Sequence, residues 1–311
     1  MKITTYYPWE DRKDVCLTGY LLHASEQYQV GVKKPAVIVC PGGAYLKVSD
    51  QEAECVALRF AANGYHAFVL TYSVGEACKY PTTLLEIAKS ILHIRQHADE
   101  WLVDENRIAV CGFSAGGHLC ATISTQYKQA AELLGVAPEA VRPDAAILGY
   151  PVTDLTMPLI RLPLAALSGP VEDPAHPEDA VLPMFRCCIA EDEAGMYIDL
   201  SKGMNGVYIG TPTPTQEQLR AHSPLFHVGP DTPPTYLWTT WSDEMVSPVN
   251  SLAYAEALVK NGVKAEMHMF VNGPHGLSVA DHTSTVGEGY ENPEVAHWVP
   301  MVMDWFRLIW G

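Results

Sequence analysis

Positive charge is scarce in this sequence. Its 311 residues hold 20 Lys and Arg against 36 Asp and Glu, for a net charge of -16. An acidic surface repels phosphate backbones and anionic lipid, so neither nucleic acid nor a membrane is expected as partner. Long apolar runs are missing too. No stretch reaches the roughly 18 apolar residues of a membrane span. The opening MKITTYYPWEDRKD lacks the apolar region of a secretion signal, so a cytoplasmic location is expected. The eight cysteines (Cys16, Cys40, Cys55, Cys78, Cys111, Cys120, Cys187 and Cys188) show no C-x-x-C and no zinc-like spacing. Several sit in apolar runs such as AVIVC and RIAVC, where a thiol acts as a small hydrophobe. Reduced core thiols and no metal are therefore expected; only the adjacent Cys187 and Cys188 suggest a redox pair. Repeats and low-complexity tracts are absent as well. Against these absences stands 48% hydrophobic content with 18% charge, the composition of a globular chain with ample core.

The first 35 residues read as a meander, Ile3 to Tyr7 and then Val15 to Leu22, with polar turns between. From Pro35 on, short β-branched runs alternate with helical stretches, which signals βαβ units and a mainly parallel sheet. The runs are Ala36–Cys40, Ala67–Tyr72, Arg107–Cys111, Ala145–Tyr150, Thr235–Thr240 and Ala265–Phe270. Being apolar almost throughout, they suit strands buried on both faces. Ser49-Asp50-Gln51-Glu52 fits a capping box opening a helix that runs through Ala62, with Asn63-Gly64 as its stop. Further helices are expected over Thr82–His97, Ala115–Gln126, Asn250–Asn261 and Glu294–Trp310. Thr153 to His222, rich in Pro, Gly and acidic residues, is too long for an ordinary connection. It is expected to form an inserted cap (153–222) on a core made of 1–152 and 223–311.

Chemistry enters at Gly112-Phe113-Ser114-Ala115-Gly116, a G-x-S-x-G between a strand and a helix. A nucleophile elbow needs that context, because the turn leaves no room for bulk beside the serine. A serine hydroxyl is a weak nucleophile unless a base removes its proton. His275, in Asn272-Gly273-Pro274-His275-Gly276 directly after the strand Ala265–Phe270, falls at the same sheet edge as Ser114. His222, His227, His268 and His282 compete, but His268 lies within a strand and the others lack a strand-end position. Asp243 follows the preceding strand, Thr235–Thr240, and a carboxylate there would fix the imidazole tautomer. Glu244 is its neighbouring alternative. Pro41-Gly42-Gly43-Ala44-Tyr45 follows the first parallel strand. In the α/β-hydrolase topology that loop, with the residue after the nucleophile, supplies the oxyanion donors. Here these are the N–H groups of Gly43 or Ala44, and of Ala115.

Taken together, PGGAY (41–45), GFSAGGHL (112–119), RPDAAILGYPV (142–152), TPPTYLWTTWSDE (232–244) and GPHGLS (273–278) resemble the α/β-hydrolase serine esterases. More narrowly, they resemble the bacterial acetylesterase and acetyl-xylan-esterase-like group, related to the hormone-sensitive-lipase-like carboxylesterases. The resemblance spans roughly residues 35–280 without the middle of the cap. It implies an α/β-hydrolase fold, a mostly parallel central sheet flanked by helices, with Ser114 as nucleophile, Asp243 as acid and His275 as base. Two departures stand out: Pro41 replaces the histidine that opens the lipase-like H-G-G-G, and Ala44 replaces its third glycine, where alanine resists positive φ.

The expected activity is hydrolysis of short-acyl esters, acetyl first among them, on small molecules or oligosaccharides and without a cofactor. Tyr45 and Trp241, with Met184, Phe185, Met196 and Tyr197 from the cap, are candidates to line the substrate pocket. A serine peptidase or amidase of the same fold, and a binding protein that retains the hydrolase shell, stay open as alternatives. Trp298, Trp305 and Trp310 near the C-terminus either pack on the sheet or serve a homo-oligomer.

Overall fold

The computed structural model describes residues 1–25, 27–170, 173 and 175–311; residues 171, 172 and 174 of the expected cap lie outside the described residues. Its main sheet has eight strands: β1 (Lys2–Tyr6), β2 (Cys16–Leu21), β3 (Lys34–Cys40), β4 (His66–Thr71), β5 (Val103–Phe113), β6 (Ala145–Gly149), β10 (Thr235–Thr240) and β11 (Ala265–Phe270). They are ordered β1-β2-β4-β3-β5-β6-β10-β11. β1, β2 and β4 pair antiparallel, and every pairing from β4 to β11 is parallel. The chain is thus an α/β hydrolase fold with an antiparallel edge.

Period-two alternation explains why the strands read as continuous apolar runs. On β3, Ala36, Ile38 and Cys40 enter one core, while Val37 and Val39 enter the other. On β5, Ile108 and Val110 face the first and Ala109, Cys111 and Phe113 the second. Helices cover both faces, so neither set of side chains meets water. α2 (Thr82–Gln96), the short α3 (Ala98–Trp101), α4 (Ser114–Leu134) and α7 (Val249–Lys260) contribute buried residues to the first core. α1 (Glu54–Ala62) and α8 (Trp298–Trp310) close the second. Trp298 and Trp305 are buried against the sheet there, and Trp310 stacks on Phe306 at 4.2 Å between ring centroids. These rings are therefore packing elements of the chain's own core.

One local expectation fails. Ser49 makes no side-chain cap; a single 3-10 turn over Asp50–Glu52 precedes α1, which starts at Glu54. Glu52 does not reach back to the turn but is buried, with its carboxylate bonded to the N–H of Gly42 and the O–H of Tyr150. Tertiary partners took the group that the local pattern assigned to a cap.

Between β6 and β10 the chain builds a small antiparallel sheet, β7 (Arg161–Pro163), β8 (Ile189–Asp192) and β9 (Gly195–Asp199), ordered β7-β9-β8. α5 (Leu200–Tyr208) and α6 (Gln216–Ala221) follow. Asp199 caps α5 by accepting the N–H of Lys202, and Thr215 and Gln218 form a capping box on α6. Ile198, Leu200, Met204 and Tyr208 from this segment are buried in the first core.

Candidate active site

Ser114 sits where β5 ends and α4 begins, at φ 53°. A side chain at that φ is strained, and the surroundings hold it. The turn closes so tightly that a Cβ on Gly116 would stand 2.0 Å from the carbonyl oxygen of Cys40 and 2.4 Å from that of Pro41. Only glycine lets the first turn of α4 approach the end of β3 so closely. The tight turn places the serine at the N-terminus of α4, which is kinked at Gln126 and whose first stretch has a dipole that favours developing negative charge.

His275 and Asp243 converge on this serine from the loops after β11 and β10. Ser114 Oγ lies 2.9 Å from His275 Nε2, and His275 Nδ1 lies 2.8 Å from Asp243 Oδ2. The carboxylate only accepts, so Nδ1 carries the proton and Nε2 faces the serine hydroxyl as acceptor. The other carboxylate oxygen, Oδ1, accepts the backbone N–H groups of Met245 and Val246, both at 2.9 Å. The Asp243 side chain is 1% exposed and that of His275 10%. The two loops are laced together: the Gly273 N–H donates to Ser242 Oγ at 2.9 Å, and Thr240 Oγ1 donates to the Gly273 carbonyl at 2.7 Å. Tyr150, at the end of β6, packs edge-on against the imidazole at 4.8 Å between centroids.

The competing groups lie elsewhere. His268 is on β11 and bonds Glu266 at 2.8 Å. His222 packs against Tyr80 and Tyr208, His227 bonds the Ala221 carbonyl, and His282 and Glu244 are exposed.

Gly43, Ala44 and Ala115 line one cavity with Ser114 and His275. Gly43 takes φ 123°, and a Cβ there would meet the Lys47 carbonyl oxygen at 2.2 Å. Ala44 and Tyr45 follow at φ 55° and 59°, a conformation that both residues resist. An anchor offsets that resistance. Tyr45 turns inward, fully buried, stacked on Tyr208 at 4.7 Å and bonded through its hydroxyl to His118 Nδ1 at 2.9 Å. His118 Nε2 then donates to the His222 carbonyl at 2.9 Å. Burial holds the His118 pKa down at about 4, so the ring is a neutral acceptor for Tyr45. Tyr45 therefore braces the loop from behind and does not line the cavity. Trp241 is also corrected: it is 68% exposed and lies outside the cavity wall.

The cavity holds about 240 Å³. Most of its apolar wall comes from the segment after β6, through Leu159, Leu162, Leu167, Phe185, Leu200 and Met204, and the loop after β10 adds Met245 and Val246. Of the four cap residues expected from the sequence, Phe185 is there, whereas Met184 and Met196 are 44% and 42% exposed and, like Tyr197, lie off the wall. On the far side of His275 a wider groove of about 520 Å³ carries Ser242, Glu244, Asn272 and Asn292. Two residues missed in the sequence, Glu52 and Tyr150, stand beside the imidazole. Tyr150 was detectable as the residue ending β6 at this sheet edge; Glu52 was hidden by its place in a capping pattern. Among the described residues, no group of three or more His, Cys, Asp or Glu is arranged to hold a metal ion.

The fold is that of an α/β hydrolase, and a serine, a histidine and an aspartate meet in hydrogen-bond contact at one edge of its sheet. The BD-FAE family profile matches residues 25–159, and the prolyl oligopeptidase family profile matches residues 184–299. The chain is similar to bacterial carboxylesterases and to an acetylxylan esterase, in agreement with the resemblance read from its motifs. It is similar to the carboxylesterase Cest-2923 of Lactobacillus plantarum WCFS1, with TM-score 0.75 and 26% identity, covering 99% of this chain and 98% of that one. It is also similar to the acetyl ester-xyloside bifunctional hydrolase of Caldicellulosiruptor lactoaceticus, with TM-score 0.70 and 28% identity over 98% and 96% of the two chains. Endo-1,4-beta-xylanase B of Butyrivibrio fibrisolvens is 27% identical over 262 residues, which is 80% of this chain. The chain spans about a third of that relative's length. Among the described residues, no helix is long and apolar enough to cross a membrane.

Proposed function

We propose that this chain hydrolyses short-acyl esters through an acyl-enzyme formed on Ser114. The observation that carries this reading is the unbroken hydrogen-bonded line Ser114–His275–Asp243 at the floor of an apolar cavity. His275 Nε2 takes the Ser114 proton as Oγ attacks the ester carbonyl. Asp243 holds the ring in the needed tautomer and faces the imidazolium that forms. The N–H groups of Ala115 and of Gly43 or Ala44 receive the oxyanion. Ala115, in the first turn of α4, has an N–H with no helical partner to satisfy it. His275 then protonates the departing alcohol, and water repeats the sequence on the acyl-enzyme.

The two cavities suggest how an ester lies. The acyl chain enters the apolar pocket walled by the 153–222 segment, which acts as a cap. The alcohol leaves past His275 into the groove, where Ser242, Glu244, Asn272 and Asn292 stand among apolar residues such as Ile160 and Met245 and offer hydrogen bonds to a hydroxylated leaving group, carbohydrate included. The relatives named for acetyl esters favour acetyl as the acyl group.

A panel of p-nitrophenyl esters from acetate to octanoate, with acetylated xylo-oligosaccharides and a matched acetyl amide alongside, tests the proposal. Highest kcat/KM is expected on acetate or butyrate, with the amide far slower. Ser114→Ala is expected to abolish turnover in a folded protein; retained turnover would remove the nucleophile assignment.

A further inference from the structure

Glu52 has no part in the relay, yet it lines the active-site cavity and is 3% exposed. A buried carboxylate survives only where donors satisfy it. Glu52 has two, from two different parts of the site. Oε2 accepts the Gly42 N–H at 2.7 Å, and Oε1 accepts the Tyr150 O–H at 2.7 Å. Gly42 opens the oxyanion loop, and a Cβ placed on it would stand 3.0 Å from the Cβ of Ser114. The Tyr150 oxygen in turn accepts the N–H of Ser278 at 2.9 Å, three residues past His275. The neighbouring Gln51 reinforces the second link: its Nε2 donates to the Gly276 carbonyl at 2.7 Å, and its own carbonyl accepts the Ser278 hydroxyl at 2.6 Å.

Resting on the reading of Ser114 as nucleophile and of the 43–44 loop as oxyanion donor, we propose that Glu52 is a positioning residue that fixes the oxyanion loop relative to the base loop. A single carboxylate spans the gap between them, one oxygen to each side. Desolvation raises the Glu52 pKa while the bonds from Tyr150 and Gly42 lower it, and the net direction is upward. The Gly42 N–H can only donate and so needs a carboxylate oxygen, while the Tyr150 hydroxyl, which already accepts the Ser278 N–H, donates to the other. An amide of the same shape replaces the carboxylate only by reversing the second bond. With its oxygen on the Gly42 N–H, glutamine turns its NH₂ to the Tyr150 oxygen, which must then accept twice and leave its own buried O–H without this partner.

The test is Glu52→Gln, with rates counted per serine labelled by a fluorophosphonate. On p-nitrophenyl acetate, kcat is expected to fall at least tenfold with KM within about twofold. Binding of an alkyl boronic acid, which places a negatively charged tetrahedral centre in the oxyanion site, should weaken by a similar factor. Both chemical steps use the oxyanion donors, so the loss appears whichever step limits turnover. A merely structural role would reduce the labelled fraction or the melting temperature and leave kcat per labelled serine unchanged; that result overturns the proposal. Should the Gln variant fail to fold, Tyr150→Phe cuts only the link to the base loop. It is expected to lower kcat at least threefold at constant KM, and wild-type kcat there overturns the proposal equally. Ser114→Ala separates the two levels. Activity surviving in it removes the underlying mechanism, whereas a dead Ser114→Ala beside a fully active Glu52→Gln removes only the role of Glu52.

Discussion

Asp243→Asn is the sharpest probe of the relay, because it keeps shape and removes one acceptor. In the protein, Asp243 Oδ1 is committed to two backbone donors, Met245 N–H and Val246 N–H, each at 2.9 Å. An asparagine must keep its carbonyl oxygen on those two donors, since turning its NH₂ toward them would set donor against donor. The NH₂ then faces His275 across the 2.8 Å gap that the carboxylate now spans. The imidazole answers by moving its proton to Nε2, so that Nδ1 can accept. Nε2–H now points at Ser114 Oγ and cannot take its proton. In serine proteases a change of this kind lowers kcat by about 10⁴-fold. At about 1.36 kcal/mol per decade, that is roughly 5 kcal/mol of lost transition-state stabilisation. Steady-state hydrolysis of p-nitrophenyl acetate at pH 7 measures it, with circular dichroism as a check on folding. KM should change little, because the Asp243 side chain is 1% exposed and lines neither cavity. Asp243→Ala should be no slower than the Asn variant, since it leaves the ring free to choose its tautomer. An Asn variant within tenfold of wild-type kcat would refute the tautomer argument.

Two further outcomes follow from buried geometry. Gly116→Ala should cost about 1–3 kcal/mol in urea unfolding, as overpacking typically does. It should also depress kcat, because the new Cβ would press within 2.4 Å of two carbonyl oxygens, those of Cys40 and Pro41, at the root of the oxyanion loop; unchanged stability and rate would refute the close approach. Stability should fall as pH drops from about 6.5 toward 4, because burial holds His118 neutral down to about 4 while the unfolded chain takes up a proton near 6.5. The sign follows from that depression: the contribution is present above pH 6.5 and lost on acidification. By pH 5 His118 accounts for about 2 kcal/mol. His118→Gln should melt lower at pH 7 but lose less between pH 7 and 5, and an equal loss in both proteins would sink the assignment.

What the sequence discloses follows the physics of each element. β10 begins and ends where its run does and is buried throughout, as a strand covered on both faces must be; β11, the edge strand, keeps the expected bounds although Glu266 and His268 interrupt its run and none of its residues is fully buried. Ser114, His275 and Asp243 were found by asking which polar side chains follow a strand, and the parallel sheet carries all three to one edge. The small sheet of β7, β8 and β9 was not legible: β7 is three residues long, and its pairing to β9 depends on contacts remote in sequence. Tyr45 and Trp241 were misassigned for a different reason. Proximity to the site along the chain says nothing about side-chain direction, and the positive φ at Ala44 and Tyr45 turns the tyrosine ring into the core. The box at Ser49–Glu52 failed because capping patterns are local, whereas Glu52 finds its partners at Gly42 and Tyr150.

That last failure connects with the strain in the site. Ser114, Ala44 and Tyr45 all hold a left-handed backbone, each at a cost of order 1–3 kcal/mol. Such positions persist only where the surroundings leave no alternative. Gly116 lets α4 press against Cys40 and Pro41, Tyr45 is pinned by His118, and Gly42 is pinned by Glu52. The two polar anchors, His118 and Glu52, are buried and hydrogen-bonded; His118 lies off the cavity wall and Glu52 lines it. The wall itself is built from aliphatic residues such as Leu159, Leu162 and Leu167, which hold no strained backbone and anchor no part of the relay. Substitutions among these leucines therefore change the fit of the acyl chain while the relay stays in place. Substitutions among the anchors displace donors that must be correct to a fraction of an ångström, whatever ester is bound.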